Sequence, residues 1–240
     1  MNDLIKSNMR GVAEHGWLSS RHTFSFGQYF NPEYIGFSDL RVINDDWIAP
    51  GQGFGTHPHR DMEIFTYVLE GALEHRDSMG TGSVMRPGDV QVMAAGTGVT
   101  HSEFNHSISE RVHLLQIWLL PAKLGTQPRY QQQFFTPEQK RGRLQLILSP
   151  NGAEGSLEIG QDARIYAGLF DGAETATLEL PAHRNAYVHV ARGELLVNGQ
   201  RMAEGDGLRL REIDKVTLSE GNQAEVLVFD LRPHELPGQA

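Results

Sequence analysis

Two stretches of this 240-residue chain repeat one another, and the repeat limits the folds open to it. Residues 59–71, HRDMEIFTYVLEG, resemble residues 183–193, HRNAYVHVARG, each an extended run closed by a glycine. A Gly-Asp pair follows each: Gly88-Asp89 in the first case, Gly205-Asp206 in the second. Thirteen residues beyond those glycines stand His101 and Leu218, inside the matching segments THSEF and TLSEG. Recurrence of a whole strand-and-turn unit reads as a duplicated module. The unit is β in character. Runs such as 112-VHLLQIWLL, 143-RLQLILS and 224-AEVLVFDL are rich in branched and aromatic side chains, and turn formers such as Asn198-Gly199 bound them. The best helical signal is short, residues 136–141, with Thr136 as cap and Pro137 in the first turn. The expected fold class is therefore all-β, two jelly-roll barrels in one chain. Residues 125–142, GTQPRYQQQFFTPEQKRG, are polar and hold two prolines, so the division is expected there. This gives an N-terminal domain over 1–130 and a C-terminal domain over 131–240.

The first copy carries His57, His59, His101 and Glu103; the second has Pro181, His183, Leu218 and Glu220 at the matching positions. On a strand, residues two apart point to one face, about 7 Å apart along the chain. The pairs His57/His59 and His101/Glu103 thus each present two donors to one side. Two such strands facing each other bring three imidazoles and a carboxylate to one point, a donor set suited to iron, manganese, nickel, copper or zinc. The expected ligands are His57, His59, His101 and Glu103. Glu63 competes for the carboxylate role, being an even number of residues from His59. The second copy, lacking two of the imidazoles, is expected not to hold a metal. His75, His106 and His113 are read as surface or core residues, as are His15, His22, His183 and His189. Phe54, Met62, Phe65 and Phe104 are candidates for an aromatic pocket near the ligands.

Composition narrows the function classes. The chain has no cysteine, which removes disulfides, thiolate metal sites and cysteine nucleophiles. Its formal net charge of −9, with no dense basic run, argues against general nucleic-acid binding. The opening MNDLIKSNMRGVAEHGW lacks the apolar stretch of a signal peptide, and no apolar run approaches about 18 residues. A soluble, cytoplasmic protein without membrane contact is expected.

The stretch from 40-LRVINDDWIAPGQGFGTHPHRDMEIFTYVLEG to 87-PGDVQVMAAGTGVTHSEFN and 111-RVHLLQIWL resembles the pirin family of bicupins, and 22-HTFSFGQYF upstream also fits. The resemblance is specific over roughly residues 10–150 and diffuse beyond. It implies two cupin domains packed face to face, with one metal, usually iron, in the N-terminal domain. The family's metal motif maps onto His57, His59, His101 and Glu103. The chain looks most like the short bacterial pirins, some of which show quercetin 2,3-dioxygenase activity, and less like the longer animal pirins, which act as nuclear transcription cofactors.

The expected activity follows: a metal-dependent dioxygenase that opens the ring of flavonols such as quercetin, with Fe(II) as metal, dioxygen as co-substrate and Glu103 as general base. The alternative is a metal-bound regulatory module docking a protein partner. A monomer is expected, because the two barrels of one chain can supply each other's packing surface.

Overall fold

The computed structural model describes residues 3–234. The chain is almost wholly strand. In order these are β1 (Asp3–Ile5), β2 (Gly11–Glu14), β3 (Leu18–His22), β4 (Leu40–Ile48), β5 (Gly53–His59), β6 (Glu63–Glu70) and β7 (Leu73–Asp77). Then come β8 (Gly82–Met85), β9 (Asp89–Ala94), β10 (Val99–Asn105), β11 (Val112–Leu119) and β12 (Arg129–Phe134). After the short α-helix α1 (Pro137–Lys140) follow β13 (Gln145–Ser149), β14 (Leu157–Glu158), β15 (Ala163–Gly172) and β16 (Ala176–Glu179). The last are β17 (Asn185–Val197), β18 (Gln200–Ala203), β19 (Gly207–Leu210) and β20 (Lys215–Leu231). The helix starts as its sequence predicts: Thr136 and Gln139 form a reciprocal capping box, with Pro137 in the first turn.

The N-terminal half is a sandwich. One sheet has the order β5-β10-β7-β8 and the other β12-β9-β6-β11-β4-β3-β2. The C-terminal sheet contains β19-β17-β20-β15, which repeats the central order β9-β6-β11-β4. The duplication in the sequence is therefore a duplication of pairing, and the fold is the expected all-β bicupin. Two strands cross the division drawn at residue 130. β12 adds to the N-terminal sheet beside β9, while β1 leaves the N-terminal half to pair with β19.

Burial explains why β6 reads as one apolar run rather than alternating. Its odd positions Phe65, Tyr67 and Leu69 join a core shared with Ile165, Tyr187, Leu227 and Phe229 of the second half. Its even positions face the interior of the first sandwich, where Val68 packs with Leu114 and Met85. A strand buried on both faces loses the polar half of its pattern. The interior of the second barrel is filled by apolar side chains, among them Val188, Val190, Leu208 and Leu218.

Candidate metal centre

β5 and β10 lie side by side and antiparallel, with His57 directly opposite His101. Each strand carries its second donor candidate two residues on, so the period of two brings the donors together. The ring nitrogens of His57, His59 and His101 lie within 4.8 Å of one another. His57 Nε2 and His101 Nε2 are 3.0 Å apart. Two nitrogens bound to one ion at about 2.1 Å would stand about 3.0–3.4 Å apart in octahedral or tetrahedral geometry. The pair is thus spaced like two ligands of one ion.

Local hydrogen bonding also orients His57. Its Nδ1 lies 2.8 Å from the Gly55 carbonyl oxygen, which only accepts, so Nδ1 carries the proton and Nε2 keeps its lone pair. The Gly55 carbonyl is available because β5 bulges there. Between the pairs His101–His57 and Glu103–Phe54 the chain spends one more residue on β5 than on β10. Burial holds His101 and His59 neutral, as metal ligands must be. The His101 ring is pushed down to about 2, first by desolvation and then by the neighbouring imidazoles. His59 is pushed down to about 4 by the same causes in the same order.

Glu103 is brought to His101 from the deeper side. Its carboxylate groups within 4.8 Å with His75 and His101, not with His57 and His59. Gln116 Nε2 donates to it at 2.7 Å, and the Thr66 hydroxyl lies at 3.4 Å. Complete burial and then the charge of Asp46 push its carboxyl up to about 7. Glu63 points elsewhere. The even spacing from His59 carries no meaning across residues 60–62, where the chain turns with Asp61 at φ 49°. On β6, Glu63 shares its parity with Phe65 and Tyr67 and so faces the second half, where Gly160 packs against its carboxylate and Arg129 lies 3.9 Å away.

His59 lines a cavity of about 580 Å³ with Pro58, Ser78 and Thr100, and a second cleft, of about 930 Å³, lies one ring beyond the histidines, walled by Trp17, His22, Phe26, Tyr29 and Phe54 among others. Ligand pockets span about 300–1,000 Å³, so it is large enough for a small aromatic molecule. Its walls reach the metal-site rings by two routes. Phe54 lies 6.4 Å from His57 between centroids. Phe26 stands edge-on to Trp118 at 5.3 Å, and Trp118 edge-on to His59 at 5.0 Å.

Of the four pocket candidates named from sequence, only Phe54 lines this cleft. Phe65 is in the core between the halves, Met62 packs on Ile64 and Met93, and Phe104 faces solvent beside Glu74 and Arg76. The walls come instead from β3 and the segment 22-HTFSFGQYF, whose aromatic density was the available signal. His22, read as an ordinary core residue, is in that wall and bonds Asn44 Oδ1 at 2.7 Å. His75, read as a surface or core residue, is fully buried and lies against His101. Its signal was the pair His75-x-Asp77 on one strand face. His113 and His106 have other partners, Asp45 at 2.7 Å and Glu74 at 3.0 Å.

Relatives share this architecture over its whole length. Residues 5–119 match the pirin family model, and residues 146–231 match the model described as the quercetinase C-terminal cupin domain. The chain is 47% identical over 230 residues to a quercetin 2,3-dioxygenase of Escherichia coli K12, covering 96% of this chain and 98% of that one. The chain belongs to the pirin family. It is also 38% identical to a pirin-like protein of Caulobacter vibrioides, over 92% of this chain and 95% of that one. The crystal structure of the E. coli bacterial pirin YhhW in complex with nickel(II) superposes with a TM-score of 0.92 at 47% identity, over 97% of this chain and 100% of that one.

Proposed function

We propose that this pirin is a quercetin 2,3-dioxygenase whose single divalent metal, Fe(II), is held by His57, His59, His101 and Glu103. The observation that carries the reading is the trio of clustered imidazoles, joined through Phe54 and Trp118 to an aromatic cleft. Three nitrogens lie within 4.8 Å of one another, and the buried Glu103 carboxylate groups with His101 but not with His57 or His59, so it would turn toward the ion on binding. An E. coli relative of 47% identity bears the activity in its name, and the nickel(II) complex of the E. coli pirin YhhW, at the same identity, supports a divalent ion. When bound, the metal supplies Lewis-acid stabilisation of an enolate-type oxygen.

The protein's own groups do the rest. One carboxylate beside a divalent ion leaves a net single positive charge, which favours an anionic chelating substrate such as a flavonolate. The cleft side chains Trp17, Phe26, Tyr29 and Phe54 offer ring faces and edges to a flat phenol. Trp118, between Phe26 of the cleft and His59, has its Nε1 buried with no partner among the described residues. Glu103 takes the 3-hydroxyl proton: a carboxyl held near neutrality is matched to that task, and Gln116 steadies its other oxygen. Dioxygen then adds across C2 and C4 of the flavonolate, and the ring opens as carbon monoxide leaves.

Aerobic incubation of the iron-loaded protein with quercetin tests this. The flavonol absorption band should disappear with one carbon monoxide released per quercetin, and a His57→Ala variant should leave the band intact. No turnover with the iron, nickel, copper or manganese form would defeat the reading.

A further inference from the structure

A chain of polar contacts runs from the turn after β7 to the imidazoles of the metal centre. At its far end stands Asp77. Its Oδ1 accepts from the backbone N–H groups of Met79 at 2.9 Å and Thr81 at 3.0 Å, which pins the carboxylate in one orientation. Its Oδ2 lies 3.0 Å from His75 Nε2, and both side chains are wholly buried. An ionised carboxylate only accepts, so the proton of the His75 ring is on Nε2. The ring of Tyr130, 4.9 Å away between centroids, packs against His75 and holds its plane.

A neutral His75 protonated on Nε2 has its lone pair on Nδ1, which sits 3.4 Å from His101 Nδ1. Two lone pairs facing at that distance repel, whereas a proton on His101 Nδ1 makes the contact a hydrogen bond. That choice leaves the lone pair of His101 on Nε2, facing the lone pair of His57 Nε2 at 3.0 Å, two donors that repel in the empty site and are satisfied together by a cation between them. His57 reaches the same state through its bond to the Gly55 carbonyl.

We propose that Asp77 and His75 are positioning residues that fix His101 as its Nδ1–H tautomer and thereby present its Nε2 lone pair to the metal. The proposal rests on the reading of His57, His59 and His101 as the ligand trio. Outer partners of this kind orient a ligand ring and raise its basicity. The competing use of the same atoms is a second ion held by His75, His101 and Glu103, which also group within 4.8 Å. Two ions would require His101 to lose its last ring proton and bridge them as an imidazolate. The proton chain needs no such ionisation.

Asp77→Asn is the informative variant because the turn dictates how the new amide sits. The two backbone N–H groups hold the amide oxygen where Oδ1 now is, so the amide nitrogen faces His75 Nε2. A donor there drives the His75 proton to Nδ1, and His101 must then carry its own on Nε2. Two-bond proton–nitrogen correlations on ¹⁵N-histidine-labelled apoprotein read the His75 tautomer directly. The parent should show His75 protonated on Nε2 and Asp77→Asn should show it on Nδ1, with the fold retained. Nickel(II) affinity, by competition with a chromophoric chelator, should fall about 10–100-fold. His75→Phe, which keeps a ring against Tyr130 but removes both nitrogens, should lose affinity to a similar degree. The parent showing His75 protonated on Nδ1, unchanged nickel affinity in a folded Asp77→Asn protein, or two nickel ions per parent chain would each overturn the proposal. The tautomer readout uses neither metal nor flavonol, so it tests the Asp77–His75 pair even where the dioxygenase reading fails.

Discussion

Glu103 shows at the scale of one residue how a functional group is held against its own solvation. Desolvation, then the charge of Asp46, raises its carboxyl from 4.5 to about 7. Between those values the folded state binds a proton that the unfolded chain has released. The contribution to stability is thus present at acid pH and lost as pH rises through 7. Glu103→Gln keeps the shape and can still accept from Gln116, but does not titrate. The apo variant should melt above the parent at pH 8 and approach it at pH 5, a difference worth up to about 3 kcal/mol. Its nickel affinity should fall at the same time, the usual opposition of stability and function. Thermal melts by circular dichroism at pH 5 to 8 check this; parallel curves for the two proteins would count against it. At this scale the three clustered imidazoles were legible, because two-residue spacing on a strand has one geometric meaning. The direction of Glu63 was not, because a turn at 60–62 breaks the parity count. Nor was the role of His75, whose partner His101 is 26 residues away and reached only through the pairing of β7 with β10.

The element that makes the site is the ladder between β5 and β10, and its weak point is Gly53. A Cβ there would overlap the Glu103 carbonyl and the Cα of Phe104, so β5 can lie this close to β10 only with glycine at that position. Gly53→Val should force the strands apart at the end of the ladder that carries the bulge. The expected cost is about 1–3 kcal/mol of stability, as for overpacking generally. His57 would move relative to His101, so nickel binding should weaken together with the denaturation midpoint. Denaturant melts alongside nickel titration measure both, and a variant with normal affinity would show that the ladder does not set the donor spacing. Most strands, the helix at Thr136-Pro137 and the duplication were readable from local pattern. The pairing of β1 with β19 was not: Asp3 and Arg209 are opposite each other but 206 residues apart, and nothing in a three-residue strand names its partner.

The molecule as a whole is held by a core between its halves that is apolar at the centre and charged at one side. Phe65 meets Phe229 at 6.3 Å and Phe24 meets Tyr187 at 5.8 Å. Toward the N-terminus the junction turns polar: Asp45 takes Arg10 at 2.9 Å and His113 at 2.7 Å, and Asp206 takes Lys6 at 2.8 Å. His189 on β17 lies within the field of these groups, wholly buried, with neither ring nitrogen paired among the described residues. Burial, then the charge of Arg10, pushes its ring down from 6.5 to about 4. The unfolded chain therefore binds a proton over a range where the folded protein does not. Stability from this group is complete above about pH 6.5 and declines as pH falls toward 4, by up to about 3 kcal/mol. His59 and His101 act in the same direction in any variant that keeps them, so a difference measurement isolates His189. The melting temperature of His189→Leu minus that of the parent should widen as pH falls from 8 to 4.5. A gap that stays constant across this range would mean that the folded protein protonates His189 as readily as the unfolded chain does. The junction would then be wetter than its packing indicates.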